Sequence, residues 1–137
     1  VLVATQTRIV ESVADPHGHY VPVTPTISVE PLPDAPSLDH LVAALSAPSV
    51  AASAAARHLG AGLSAGALRW SARSVLEVAL PVDVAPWDRG AEIAARLTRA
   101  SAAQRPSLLD ELGATMTAAH GLDADHPTLG WWRSFVR

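Results

Sequence analysis

The sequence predicts an α+β fold: a small N-terminal antiparallel β segment followed by a helical, bundle-like C-terminal half. Three observations carry this. Residues 1 to 30 mix β-branched residues with alternation and turn chemistry. Beyond Ser37 the apolar residues recur at helical spacing. Alanine supplies much of the 49% hydrophobic content, and the large side chains are few, which favours a helix-rich core, thin in places and anchored by a few big residues. The 137 residues suit one domain, with a β-rich segment at 1–36, a helix, loop and docking segment at 37–82, and a helical part at 83–137.

VLVATQTRIVESVA reads as extended chain, and Asp15-Pro16-His17-Gly18 as a turn. HYVPVTPTISVE returns as a second extended stretch, so the expectation is a hairpin-like pair. Pro22 and Pro25 cannot donate to a ladder and place that stretch at an edge. PLPDAPS is a connector, and Ser37 is positioned to cap a helix opening at Leu38, with Asp39 in its first turn. Leu38, Leu41, Val42 and Leu45 form its apolar stripe. Pro48 is expected to kink or interrupt it, and SVAASAAARHL to resume it up to Gly60. GAGLSAG is a loop. It lacks the Lys-Ser/Thr of a phosphate loop and the GxGxxG of a dinucleotide site.

ALRW suggests a brief strand. Ser71 caps a single turn through Leu76, and Pro81 ends the segment. In ARSVLEVALPV, five apolar residues (Val75, Leu76, Val78, Leu80 and Val82) crowd together, and the expectation is that something covers them. Residues 86 to 100 are predicted helical, with Pro86 at the start and Trp87, Ala91, Ala94 and Leu97 on one face. Residues 106 to 120 form another helix, with Leu109, Leu112, Met116 and Ala119 on one side and Gly121 as terminator. Leu129, Trp132, Phe135 and Val136 predict a short closing helix with Trp132 turned inward and Trp131 at an exposed or interdomain position.

Composition excludes several chemistries. There is no cysteine, hence no disulfide, thiolate zinc site or Cys nucleophile. No apolar run reaches the roughly 18 to 20 residues needed to span a bilayer, and no signal peptide is visible, so the expectation is a cytoplasmic chain without a membrane partner. The missing initiator Met suggests a fragment of a longer protein. The net charge of −3 argues against a free-standing DNA-binding protein. All basic residues are Arg, which reads as coding bias before it reads as phosphate recognition.

Candidate site residues are weighed against plainer readings. His17 and His19 flank a glycine, but a metal site needs further ligands. Asp110-Glu111 point about 100° apart on a helix and are read as first-turn charges that suit the helix dipole. Asp123, Asp125 and His126 lack the glycine and closing Glu of a calcium loop. There is no GxSxG elbow, so no hydroxyl is marked as a nucleophile. Between Asp39 and Glu77 there is no acidic residue, and this window carries Arg57, His58, Arg69 and Arg73. Such a locally positive surface could meet phosphates.

The order of elements adds a resemblance. QTRIVESVADPHGHYVPVTPTISV, with its Asp15-x-x-Gly18 turn, precedes a helix running from Leu38 to Ser46-Ala47-Pro48. A loop then leads to the docking segment Val75 to Val82, and Ala85-Pro86-Trp87-Asp88 and Leu129-Gly130-Trp131-Trp132 follow. This arrangement resembles the C-terminal region of N-6 adenine DNA methyltransferases of restriction–modification type, the actinobacterial ones in particular, over nearly the whole chain. The family's catalytic Asp/Asn-Pro-Pro-Tyr/Phe signature and its glycine-rich methyl-donor motif do not occur here. The resemblance therefore implies a non-catalytic region that recognises DNA or braces the catalytic domain, locked together by the apolar residues of Val75 to Val82 packing against the helix from Leu38. S-adenosylmethionine and base flipping would belong to an upstream domain, with DNA bound only together with it. Gln6, Thr7, Arg8, Arg57, Arg69 and Arg73 are the candidate DNA contacts, chosen by charge and loop position. Two rivals are a helical protein–protein interaction module without a DNA role and a small metal enzyme using His17 and His19.

Overall fold

A computed structural model describes residues 1–58 and 66–136. It has a small sheet at the N-terminus followed by helices, an α+β arrangement. The strands are β1 (Leu2–Ala4), β2 (Glu11–Val13) and β3 (Thr26–Ser28). β1 is central, and both neighbours run antiparallel to it, with Val3 opposite Ser12 on one side and Ile27 on the other. The expected pair is thus a three-stranded sheet. The first extended stretch folds on itself as β1 and β2, and the second adds β3 at the free edge. β3 begins directly after Pro25, whose peptide with Thr24 is cis, so neither proline occupies a ladder position.

Ser37 caps α1 (Leu38–Leu45) by accepting the His40 N–H. The helix is interrupted at Pro48, as expected, and the proline itself begins the part that resumes. It opens α2 (Pro48–His58), bent 56° from α1. At a first helical position the missing N–H costs nothing. The expected stop at Gly60 and the glycine loop up to residue 65 lie outside the described residues. Leu68 forms an isolated bridge where the strand was expected. Ser71 caps α3 (Ala72–Leu76) through the Ser74 N–H. α4 (Val84–Arg99) starts two residues earlier than predicted, because Asp83 accepts the Ala85 N–H and takes the capping role. α5 (Arg105–Ala119) and α6 (Pro127–Val136) complete the chain.

α4 packs against both α1 and α5, while α6 packs on α2 and α5. Gly90 of α4 lies against Met116 and Ala43, so a side chain there would strike the Met116 thioether. The main core gathers Val3, Val42, Leu45, Leu68, Trp70, Ile93, Leu112 and Met116. A second cluster joins Ala51 of α2 to Leu129 and Trp132 of α6. Trp132 is buried as expected, and Trp131 packs beside that cluster with its ring centroid 5.0 Å from Phe135. Phe135, expected inside, is on the exposed side of α6. On α5 the buried positions are Leu108, Leu112, Gly113, Met116, Thr117 and Ala119, whereas Leu109 turns towards α6.

The docking segment is only half covered. Val75 is buried and Val78 packs on the main core. Leu76 and Val82 are 84% and 78% exposed, and Leu80 is also outside. The single turn of α3 puts Val75 and Leu76 on different faces. The stretch after it is held by backbone, as the N–H groups of Val82 and Asp83 both donate to the Ala119 carbonyl at 2.9 and 3.1 Å. Among the described residues no single helix is long and apolar enough to cross a membrane.

Candidate nucleic-acid interface

The connection after β1 is tied to the segment that leads into α3. The Leu68 N–H donates to the Thr7 carbonyl at 2.8 Å, and the Trp70 N–H to the Thr5 carbonyl at 3.0 Å. Leu68 and Trp70 are therefore turned into the core, and Arg69 between them is exposed, as alternation along extended chain requires. Gln6 and Arg8 are exposed on the paired segment. Thr7 donates its hydroxyl back to the Ile9 carbonyl, so that group serves the turn. Trp70 faces the end of α2, where the His58 ring lies 6.4 Å from the Trp70 indole, centroid to centroid. Arg57 and His58 occupy the last turn of α2, where positive charge suits the helix dipole. Ser71 follows Trp70 and starts α3 with Arg73. The chain thus brings the segments bearing all six candidate residues into one neighbourhood.

The arginines differ in what holds them. Arg73 pairs with Glu77 at 3.0 Å, one helical turn on, with both side chains largely exposed. Such a pair is weak and easily exchanged. Arg89 binds Glu111 and Glu92 at 2.7 and 2.9 Å, and Arg96 reaches Glu111 at 3.4 Å. Arg133 grips Asp110 with two hydrogen bonds of 2.7 and 3.1 Å. Arg8, Arg57 and Arg69 form no ion pair among the described residues. Arg99 and Arg105 share that property at the α4–α5 connection, where the Arg105 Nε donates to the Ala100 carbonyl.

Asp110 and Glu111 therefore do not act as first-turn charges. They lie past the opening turn of α5 and each clamps a different helix. The rings of His17 and His19 are 5.2 Å apart, and among the described residues no cluster of three metal-binding side chains forms. Their turn is built by Asp15, whose carboxylate accepts the N–H groups of Tyr20 and His19 at 2.9 Å each. These bonds hold its pKa below the usual carboxylate range. His126 spends its Nδ1 on Thr128 at 2.8 Å, at the start of α6.

A cleft opens beside Trp70. Ser49, Ser53 and Arg57 of α2 form one wall, Glu77 another, and His120 at the end of α5 lines it as well, around a volume of about 120 Å³. Three of the lining residues each carry a buried polar atom without a partner among the described residues: Ser49 Oγ, Trp70 Nε1 and His120 Nε2, none of them open to the cleft itself. Leaving such a group unpaired costs about 1–3 kcal/mol. The sequence offered no route to this cleft, because its residues come from α2, the Trp70 segment and the end of α5, each of which reads alone as ordinary helix or strand.

Burial pushes the His120 imidazole below its ordinary value of 6.5. The unfolded chain then binds a proton that the folded chain resists, so stability from this group is complete above about pH 6.5 and declines as pH falls below it. Urea midpoints at pH 7.5 and 5.5 should show a smaller acid-side drop for His120→Gln than for the unsubstituted chain. Equal drops would assign the pH dependence to another group.

No family model matches this chain, and none of the curated proteins or solved structures compared with it is significantly similar.

Proposed function

We propose that this chain is the non-catalytic, C-terminal region of an N-6 adenine DNA methyltransferase, and that it recognises DNA and braces the catalytic domain. The observation that carries this reading is the set Arg8, Arg57 and Arg69, exposed on adjoining segments and free of ion pairs among the described residues. Guanidinium groups left unpaired in this way are available to phosphate oxygens. Arg73 is held only by an exposed pair and joins them once a phosphate competes for it. Gln6 and Thr7 belong to the segment paired with that of Arg69, and in this reading they would meet the DNA backbone beside it. The net charge of −3 disfavours DNA binding at long range. The reading therefore expects weak affinity for the chain alone and stronger affinity in the complete enzyme, whose upstream domain would bind S-adenosylmethionine and flip the base. Such an enzyme works in the cytoplasm. The test is fluorescence anisotropy of a labelled duplex against this chain at increasing salt. Affinity that falls linearly on a log–log plot supports the reading. No binding even at low ionic strength, by chain and complete enzyme alike, contradicts it.

A second reading, a helical protein–protein interaction module without a DNA role, is favoured by the exposed apolar run Leu76, Leu80, Val82 and Val84. It expects no salt-dependent DNA affinity, together with a stable complex that Leu76→Glu and Val82→Glu abolish.

A further inference from the structure

We propose that Ser37, His40 and Asp88 form a second site on this chain, a serine nucleophile with its base that hydrolyses small carboxylic esters. The three groups stand in relay. The Ser37 hydroxyl lies 2.7 Å from the His40 Nδ1, and the His40 Nε2 lies 2.9 Å from the Asp88 Oδ1. Ser37 and His40 come from the start of α1, and Asp88 comes from α4, 48 residues beyond His40. The packing of α1 on α4 brings them together. A carboxylate only accepts, so Asp88 fixes the imidazole proton on Nε2 and leaves the Nδ1 lone pair facing Ser37. Trp87 holds His40 from a third side. Its indole N–H donates to the His40 carbonyl at 2.9 Å, and the two rings meet edge to face with centroids 5.3 Å apart. None of these residues belongs to the arginine strip, and the chemistry is separate from methyl transfer and from the DNA reading.

Ser37 also caps α1, but the cap leaves its proton free. The oxygen accepts the His40 N–H at a long 3.4 Å, and the hydroxyl donates to Nδ1. Ser37 is exposed, so an acyl group can reach it. The N–H groups of Leu38 and Asp39 follow it in the opening turn and have no acceptor among the described residues. They receive the oxyanion. As the Ser37 Oγ bonds to the ester carbon, its proton passes to Nδ1. The carbon–oxygen bond to the alcohol then breaks, and that proton leaves with the alcohol. Water repeats the sequence on the acyl-serine, giving one proton to Nδ1 on attack. The same proton returns to Oγ as the carboxylic acid departs. Asp88 and Trp87 are positioning residues. The Asp88 side chain is 63% exposed, so water screens its charge and it stabilises the imidazolium weakly. The site therefore suits esters with good leaving groups rather than amides, whose leaving nitrogen must be fully protonated.

The test compares Ser37 with Ser71 in the same chain. Ser71 caps α3 in the same way, but its hydroxyl meets the Ser74 hydroxyl at 2.9 Å rather than an imidazole. The chain is treated with an alkyl phosphonofluoridate, which loses fluoride as the Oγ–P bond forms, and labelled peptides are quantified by mass spectrometry. Ser37 should be labelled about a hundredfold faster than Ser71. His40→Gln keeps a capping partner at the third helical position and removes the base. It should bring Ser37 down to the rate of Ser71 and leave the melting temperature nearly unchanged. Asp88→Asn should slow labelling about tenfold or more, because an amide N–H favours the wrong imidazole tautomer, and Asp88→Glu should restore most of the rate. Turnover is then measured with p-nitrophenyl acetate, which the unsubstituted chain should hydrolyse faster than either Ser37→Ala or His40→Gln. Equal labelling of Ser37 and Ser71, or turnover no faster than that of His40→Gln, overturns the proposal and leaves Ser37 as a helix cap alone. Duplex binding should be the same for the unsubstituted chain and His40→Gln, so the DNA reading is judged separately.

Discussion

Trp132→Ala is expected to lower stability by about 3–5 kcal/mol, the largest loss from any single truncation in this chain. Trp132 is 1% exposed and is the main anchor of α6. Its ring lies on Gly113 of α5 so closely that a Cβ at that position would sit 2.6 Å from Cζ3. The contact needs the indole on one side and the absence of a side chain on the other. Arg133 and Asp110 pin the same two helices with two hydrogen bonds, but both side chains are partly exposed, and a pair of that kind does not replace a buried ring. A loss of this size is a large share of the roughly 5–15 kcal/mol that a domain possesses. Urea unfolding followed by circular dichroism measures it. Trp132→Phe is the control: it keeps a ring and removes an N–H that has no partner among the described residues, so it should cost clearly less. A loss below about 1 kcal/mol for the alanine variant would mean that the ring is not packed as described. The consequence reaches the arginine strip, because α6 packs on α2 and α2 ends in Arg57 and His58.

Joint replacement of Arg8, Arg57 and Arg69 by glutamine should weaken duplex binding and change its salt dependence. Each phosphate neutralised by a basic side chain adds about 0.9 to the slope of log K against log salt. Removing three such side chains should therefore flatten the slope by about 2.7. Glutamine keeps length and polarity, and none of the three arginines carries an ion pair among the described residues, so the melting temperature should scarcely move. Arg89→Gln and Arg133→Gln give the opposite pattern. They break the links to Glu111 and Asp110 and should affect stability before affinity. A triple variant with unchanged slope would remove these arginines from the interface.

Local signals carried far along this chain. Ser37 and Ser71 cap helices, as hydroxyls ahead of apolar helical runs do. The Leu38 stripe and the Trp87–Leu97 face both lie on elements packed in the main core. Pro48 was legible as a boundary, but not as the start of the next helix, because a proline ends one helix and opens another with the same residue. The central place of β1 was not legible. Three-residue strands leave too short an alternation to fix which neighbour pairs with which. Leu76, Leu80 and Val82 misled because apolar composition predicts burial only when an element is long enough to hold one face to the core, and α3 is a single turn. Asp110 and Glu111 misled because their partners, Arg133 and Arg89, are distant in sequence. The six candidate DNA contacts were chosen for charge and loop position. That their segments adjoin follows from the backbone bonds of Thr5 and Thr7 to Trp70 and Leu68 and from the His58 ring beside Trp70, which no spacing rule encodes. The cleft was illegible for the same reason.

The most direct test of the account is a backbone amide chemical-shift map of this chain titrated with a short duplex at low salt. Perturbations concentrated at residues 5–8, 57–58 and 69–73, and fading as salt rises, are the predicted result. Perturbations confined to residues 76–84, or a duplex that shifts no resonance at all, would contradict it.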